Sequence, residues 1–168
     1  MIKAIVYTSN TGLTKEYAQI LGTELKLPVY ELKEAKNILS KGDQIAYLSW
    51  LMAGGLKGYR KAQRKYQIVT VCAVGMSRSR TKQEEEIKKK YQLGEEFFYL
   101  QGGYDRTKLK GIYKLMMNTL EKALKPQLEA KENKSEEDLE MLEMMNSGKN
   151  CVRKENLDQV ISYLKSRT

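Results

Sequence analysis

The chain has no histidine in 168 residues, and that absence removes more chemistry than any other feature of its composition. Ser-His-Asp triads, Cys-His pairs, His-ligated zinc and imidazole general bases all need a side chain that is missing. Cysteine is scarce as well. Cys72 and Cys151 form no C-x-x-C pair, so they read as free thiols of a reducing compartment and imply no disulfide framework. Two prolines, with 41% hydrophobic and 30% charged residues, leave room for neither wholesale disorder nor a fibrous repeat. No stretch approaches the roughly 18 apolar residues of a membrane span. Met1-Ile2-Lys3-Ala4-Ile5-Val6-Tyr7 runs into a turn too soon to be a signal-peptide core. The expectation is one cytoplasmic domain over residues 1–168, at most peripheral at the inner face of a membrane.

Positive charge is what the chain has in excess. Lys and Arg number 30 against 21 Asp and Glu, a net charge of +9, which favours an anionic partner such as phosphate, nucleic acid or acidic lipid. Residues 126–168 carry 7 basic and 9 acidic side chains, so the excess belongs to residues 1–125.

Five short runs, residues 2–7, 28–32, 44–49, 67–74 and 96–100, are rich in Ile, Val, Tyr and Phe and lack strict alternation. That is the pattern of strands covered on both faces. Helical patterns lie between them near residues 14–26, 57–65 and 80–91, with a short one around 33–40. Strands alternating with helices predict βαβ units around a parallel sheet. No strand is expected after Gly102-Gly103. From residue 108 to 125, Leu109, Ile112, Tyr113, Met116, Met117, Leu120 and Leu124 recur at three- and four-residue steps, which lines one face of an amphipathic helix. A further helix is expected from Glu136 through Met145, capped by Ser135 with Asp138 and closed by Asn146-Ser147-Gly148, and a terminal one over residues 156–164. The chain thus divides into an α/β core (1–105), a basic helical insertion (106–150) and a terminal helix (151–168).

The segment Tyr7-Thr8-Ser9-Asn10-Thr11-Gly12-Leu13-Thr14 lies between the first strand and the first helix. Hydroxyl and amide residues around a glycine let backbone N–H groups converge on a phosphate, and the helix N-terminus adds its positive dipole. The same residues also suit an ordinary N-capped turn. A Walker loop is excluded by the lack of G-K-[ST], and a dinucleotide fingerprint by the lack of G-x-G-x-x-G.

With Ser49-Trp50-Leu51-Met52-Ala53-Gly54-Gly55 after the third strand and Val74-Gly75-Met76-Ser77-Arg78 after the fourth, this segment resembles the cofactor loops of flavodoxins, over roughly residues 1–105. The resemblance implies a flavodoxin-like, doubly wound five-stranded parallel sheet of order 2-1-3-4-5, here with a C-terminal helical extension. It places FMN at the carboxyl ends of the strands, at the topological switch point. Ser9, Asn10, Thr11, Gly12, Leu13 and Thr14 would hold the FMN phosphate. Ser49, Trp50, Leu51, Met52, Ala53 and Gly54, with Gly75, Met76 and Ser77, would frame the ring. Trp50 is either a stacking partner for the ring or a core residue. The implied function is electron transfer between redox partners, with no protein side chain acting as acid or base and no metal site.

Two features depart from that family's pattern. Its second ring loop commonly carries aromatic and acidic residues, whereas this one reads Met76-Ser77-Arg78-Ser79-Arg80, and cations there would raise the flavin potential. Beyond the fifth strand, Gly102-Gly103-Tyr104 and the Met-containing helix are similar to the flavodoxin-like protoporphyrinogen oxidases, which use FMN and a membrane quinone. The alternative expectation is therefore an oxidase of that kind, active in heme biosynthesis. The redox partner would be a protein or a quinone, acidic or membrane-associated. The insertion itself is either a helix on anionic lipid, making peripheral membrane contact through residues 108–125, or a packed helix covering a sheet edge. Lys57, Arg60, Lys61, Arg64 and Lys65 form a second basic run, either a solvated face or a steering surface.

Other classes fit less of the chain. Cys72-Ala73-Val74-Gly75-Met76-Ser77-Arg78-Ser79 has the C-x5-R spacing of protein tyrosine phosphatases, with Cys72 as nucleophile and Arg78 as phosphate ligand. Val71 stands where that family usually has a histidine, and Cys72 lies inside an apolar run. A nucleic-acid module would account for the charge but shows no recognition helix, so no nucleic-acid partner is expected. A response-regulator receiver would need acids where Thr8-Ser9 and Ser49-Trp50 stand.

Overall fold

The computed structural model describes residues 1–78, 81–109 and 111–167. Ser79 and Arg80 of the second loop's cationic run, and Lys110 of the insertion, lie outside the described residues. In chain order the elements are β1 (Ala4–Thr8), α1 (Leu13–Leu25), β2 (Val29–Glu31), α2 (Leu32–Ile38), β3 (Gln44–Met52), β4 (Gly55–Leu56), α3 (Tyr59–Gln63), β5 (Gln67–Gly75), α4 (Thr81–Tyr91), β6 (Phe97–Gln101), β7 (Gly103–Tyr104), α5 (Gly111–Glu129), α6 (Glu136–Ser147), β8 (Lys149–Asn150) and α7 (Asp158–Lys165).

Five strands form a parallel sheet in the order β2-β1-β3-β5-β6, and β4 pairs antiparallel with the end of β3. Successive residues of β1 explain why the strands lack alternation. Ile5 and Tyr7 enter one core with Leu48, Cys72, Tyr17 and Leu21 of α1, and Leu164 of α7. Ala4 and Val6 enter the other with Tyr47, Val71, Leu32 of α2, Tyr59 of α3 and Ile87 of α4. Both faces of the sheet are therefore apolar and helix-covered, so period-2 patterning vanishes.

The insertion leaves and rejoins this body at a narrow neck. Gly103 pairs with Asn150 and Tyr104 with Lys149 in an antiparallel ladder, which corrects the expectation that no strand follows Gly102-Gly103. A two-residue strand carries no periodicity for sequence reasoning to detect. Beyond the neck, α5 and α6 pack over a small core of Tyr104, Leu109, Met144 and Cys151. Ser135 and Asp138 form the expected reciprocal cap on α6. The amphipathic helix runs through Pro126 to Glu129, four residues beyond the expected end. No helix among the described residues is long and apolar enough to cross a membrane.

Candidate functional site

Parallel strands place all their carboxyl ends on one edge, and the segments that follow β1, β3, β5 and β6 meet there around a cleft of about 940 Å³. All of the site residues named from the sequence line it except Ser9, Gly12 and Ser49. Asn10, Thr11, Leu13 and Thr14 come from the β1–α1 segment, Trp50 to Gly54 from the end of β3, and Gly75, Met76 and Ser77 from the end of β5.

The three exceptions shape the cleft from behind. Gly12 is the residue before α1 and has φ of 99°, a conformation that disfavours other residues, and its N–H donates to Ser9 Oγ at 3.1 Å. Ser9 therefore fastens the loop to itself, and no side chain caps α1. The first amides of a 13-residue helix thus lack a side-chain acceptor, beside the Asn10 and Thr11 side chains that line the cleft. Ser49 is buried, and its hydroxyl donates to the Lys57 carbonyl at 2.9 Å. The hydroxyls of Thr8 (2.9 Å) and Tyr47 (2.7 Å) donate to the same oxygen. Burial pushes the Tyr47 hydroxyl far above its ordinary pKa, so it stays a neutral donor.

The second segment is not the open loop expected. β3 continues through Trp50 to Met52, turns at Ala53 and Gly54, both with positive φ (47° and 67°), and returns as β4. Paired positive φ values are those of a tight hairpin turn. Tyr91 and Lys90 of α4 hold this hairpin. The Leu56 N–H donates to Tyr91 Oη at 2.9 Å, and Lys90 Nζ donates to the Gly54 carbonyl at 3.2 Å. In the third segment Tyr99 of β6 donates its hydroxyl to the Ser77 carbonyl at 2.9 Å.

The fourth wall was not assigned to the site from sequence. Ile112, Leu115, Met116 and Leu120 of α5 line the cleft yet stay largely exposed. The three- and four-residue spacing marked the apolar face but not what lies opposite it. The other side of α5 is anchored by Glu121, 7% exposed, which accepts the Tyr104 hydroxyl at 2.6 Å and pairs with Arg106 at 3.3 Å. At the mouth, Trp50 and Tyr113 meet edge to face, and Lys57 Nζ lies 5.7 and 5.6 Å from their ring centroids.

Of the second loop's cations, Arg78 is described, and it is paired. Arg78 pairs with Glu140 of α6 at 3.0 Å and with Glu136 at 3.7 Å. Cys72 lies inside β5, fully buried, with its thiol pushed far up by desolvation. Neither placement suits a thiolate nucleophile with its phosphate-binding arginine. Among the described residues no group of three or more Cys, Asp and Glu is placed to hold a metal ion. No protein-family model, curated protein or solved structure matches this chain.

Proposed function

We propose that this chain is a flavodoxin-like, doubly wound protein that binds FMN and carries electrons between redox partners. The observation that carries the proposal is the convergence of the three predicted segments on one cleft, at the side-chain-uncapped end of α1. The cleft lies where the sheet order reverses between β2-β1 and β3, the position at which open α/β sheets bind their ligands. Its volume suits a nucleotide-sized group.

The amides of Leu13 and Thr14, with the Thr11 hydroxyl, would bind the phosphate, and Gly12 keeps that approach clear because no atom lies near its missing Cβ. Trp50 and the Ala53–Gly54 turn would flank the ring. FMN bound there would supply one- and two-electron transfer, while the protein sets its access and potential. Among the described residues, Lys57 would raise that potential, whereas Arg78 is tied to Glu140. The reading includes a cytoplasmic location.

A second reading rests on α5. Its exposed apolar residues form one wall of the same cleft, and they suit an oxidase whose partner is a large apolar molecule such as a quinone, at a peripheral membrane position.

The test is an absorbance spectrum after FMN addition and desalting, beside Thr11→Asp. A carboxylate at that position favours the helix dipole but repels a phosphate, so the variant should fold and lose flavin. Riboflavin should bind far more weakly than FMN. A colourless wild-type protein overturns the proposal.

A further inference from the structure

A band of cations borders the cleft on its hairpin side. Residues 57–65 contain five Lys and Arg and no acid, and α4 ends in Lys88-Lys89-Lys90. Arg60, Lys61, Arg64, Lys89 and Lys90 are exposed. None of them forms an ion pair among the described residues. The two runs meet at one ring: Arg60 and Lys90 lie 5.5 and 5.6 Å from the centroid of Tyr91. Lys90 and Tyr91 also hold the hairpin that walls the cleft. Like charges gathered without partners cost stability through mutual repulsion, and an opposing surface relieves that cost.

We propose that this patch, centred on Arg60 and Lys90, docks an acidic electron-transfer protein at the hairpin edge of the cleft. The inference rests on the FMN reading for its redox step and on the charge pattern alone for its docking step. Each electron gained by the flavin is lost by the partner's redox centre, and any proton that the reduced flavin takes up comes from solvent. Three observations favour a protein over nucleic acid or lipid. Glu84, Glu85 and Glu86 in the first half of α4 and Glu95-Glu96 beyond it cut the patch short, so it is a compact spot and not a track for a polyanion. Tyr59 is buried and meets Tyr91 edge to face at 5.1 Å, and Arg60 and Lys90 already lie over the Tyr91 ring, which leaves bases no free face to stack on. The exposed apolar residues that lipid would require are on α5, and α3 exposes none.

The experiment uses reduced plant-type ferredoxin, an acidic one-electron carrier, with the FMN-loaded full chain in stopped flow. The expected second-order rate falls about tenfold from low to physiological salt. Arg60→Glu with Lys89→Glu, which leaves the Lys90 contact to the hairpin in place, lowers it about tenfold at low salt, whereas Lys3→Glu, at the amino edge of the sheet, leaves it unchanged. Photoreduced deazariboflavin, a small neutral reductant, should reduce both proteins equally, which shows that the variants keep a working flavin site. If the protein takes up no FMN, calorimetric titration with ferredoxin still tests docking, and salt-sensitive binding lost on charge reversal upholds it. Rates or binding indifferent to salt and to the reversal overturn the proposal. So does reversal that abolishes binding to duplex DNA or phosphatidylserine vesicles while leaving ferredoxin unaffected.

Discussion

Trp50 at the end of β3 and Tyr113 at the start of α5 meet with ring centroids 5.1 Å apart and planes at 88°. This contact joins the sheet to the insertion across the mouth of the cleft. Trp50 is also the only tryptophan, so its fluorescence reports on that mouth alone. FMN should quench the emission on titration, and Trp50→Ala should weaken FMN binding about tenfold, the scale of one aromatic contact. Unquenched emission in a protein that has taken up flavin would place the ring elsewhere.

The neck of the insertion predicts a clean excision. Tyr104 and Lys149 are ladder partners, so residues 105–148 can be replaced by Asn-Gly, which closes a two-residue hairpin. The shortened protein should fold cooperatively, keep FMN binding within about tenfold because the α1 end and Trp50 remain, and lose selectivity for bulky apolar acceptors. Loss of folding, read by thermal melting, would make α5 and α6 an integral layer.

Gly75 ends β5 under the ring of Tyr99, and a Cβ there would overlap the Tyr99 hydroxyl and ring. Gly75→Ala should cost about 1–3 kcal/mol in urea unfolding, because the phenol must leave the Ser77 carbonyl. Adding Tyr99→Leu should recover much of the stability. An additive double variant would show that the two side chains do not compete for that space.

Much of this arrangement was legible in the sequence because burial on both sheet faces writes continuous apolar runs such as Ile5-Val6-Tyr7. The turn between β1 and α1 was legible because few residue types suit a position such as Gly12, with φ of 99°. The β3–β4 hairpin was not, since Ala53-Gly54 looks like any small-residue loop and its pairing is four residues long. Nor was the role of α5. Ile112, Met116 and Leu120 announce an apolar face, but periodicity is silent on whether that face meets a sheet, a lipid or a cleft. The pairing of Arg78 was not legible either: its partner Glu140 lies 62 residues away and enters only through the folded insertion.

The cap of α6 sets an acid limit on the insertion. Asp138 is held down to about 2, first by the Lys131 ammonium at 2.7 Å and then by the Ser135 N–H. A folded-state pKa below the unfolded value of about 3.9 means stability present above pH 4 and lost as the pH falls through 2. NMR titration of the Asp138 carboxyl should show a midpoint well below that of a free aspartate. Asp138→Asn should remove the acid sensitivity of α6 amide exchange between those values.

Cys72 provides the sharpest test between classes of function. Its register partners are Leu48 and Phe98, and its side chain belongs to the core under α1 and α7, away from solvent. Desolvation holds the thiol protonated at any physiological pH, and only a thiolate attacks phosphorus. Arg78 faces Glu140 and Glu136 and offers its guanidinium to no ligand of Cys72. Cys72→Ala should therefore cost about 1 kcal/mol of stability through a small cavity, retain FMN uptake, and leave any aryl-phosphate hydrolysis at the level of the parent protein. Ellman's reagent should reach Cys72 only on unfolding. A native thiol that reacts within seconds, together with hydrolysis abolished by Cys72→Ala, would require β5 to open and would put the phosphatase reading ahead of the flavin one.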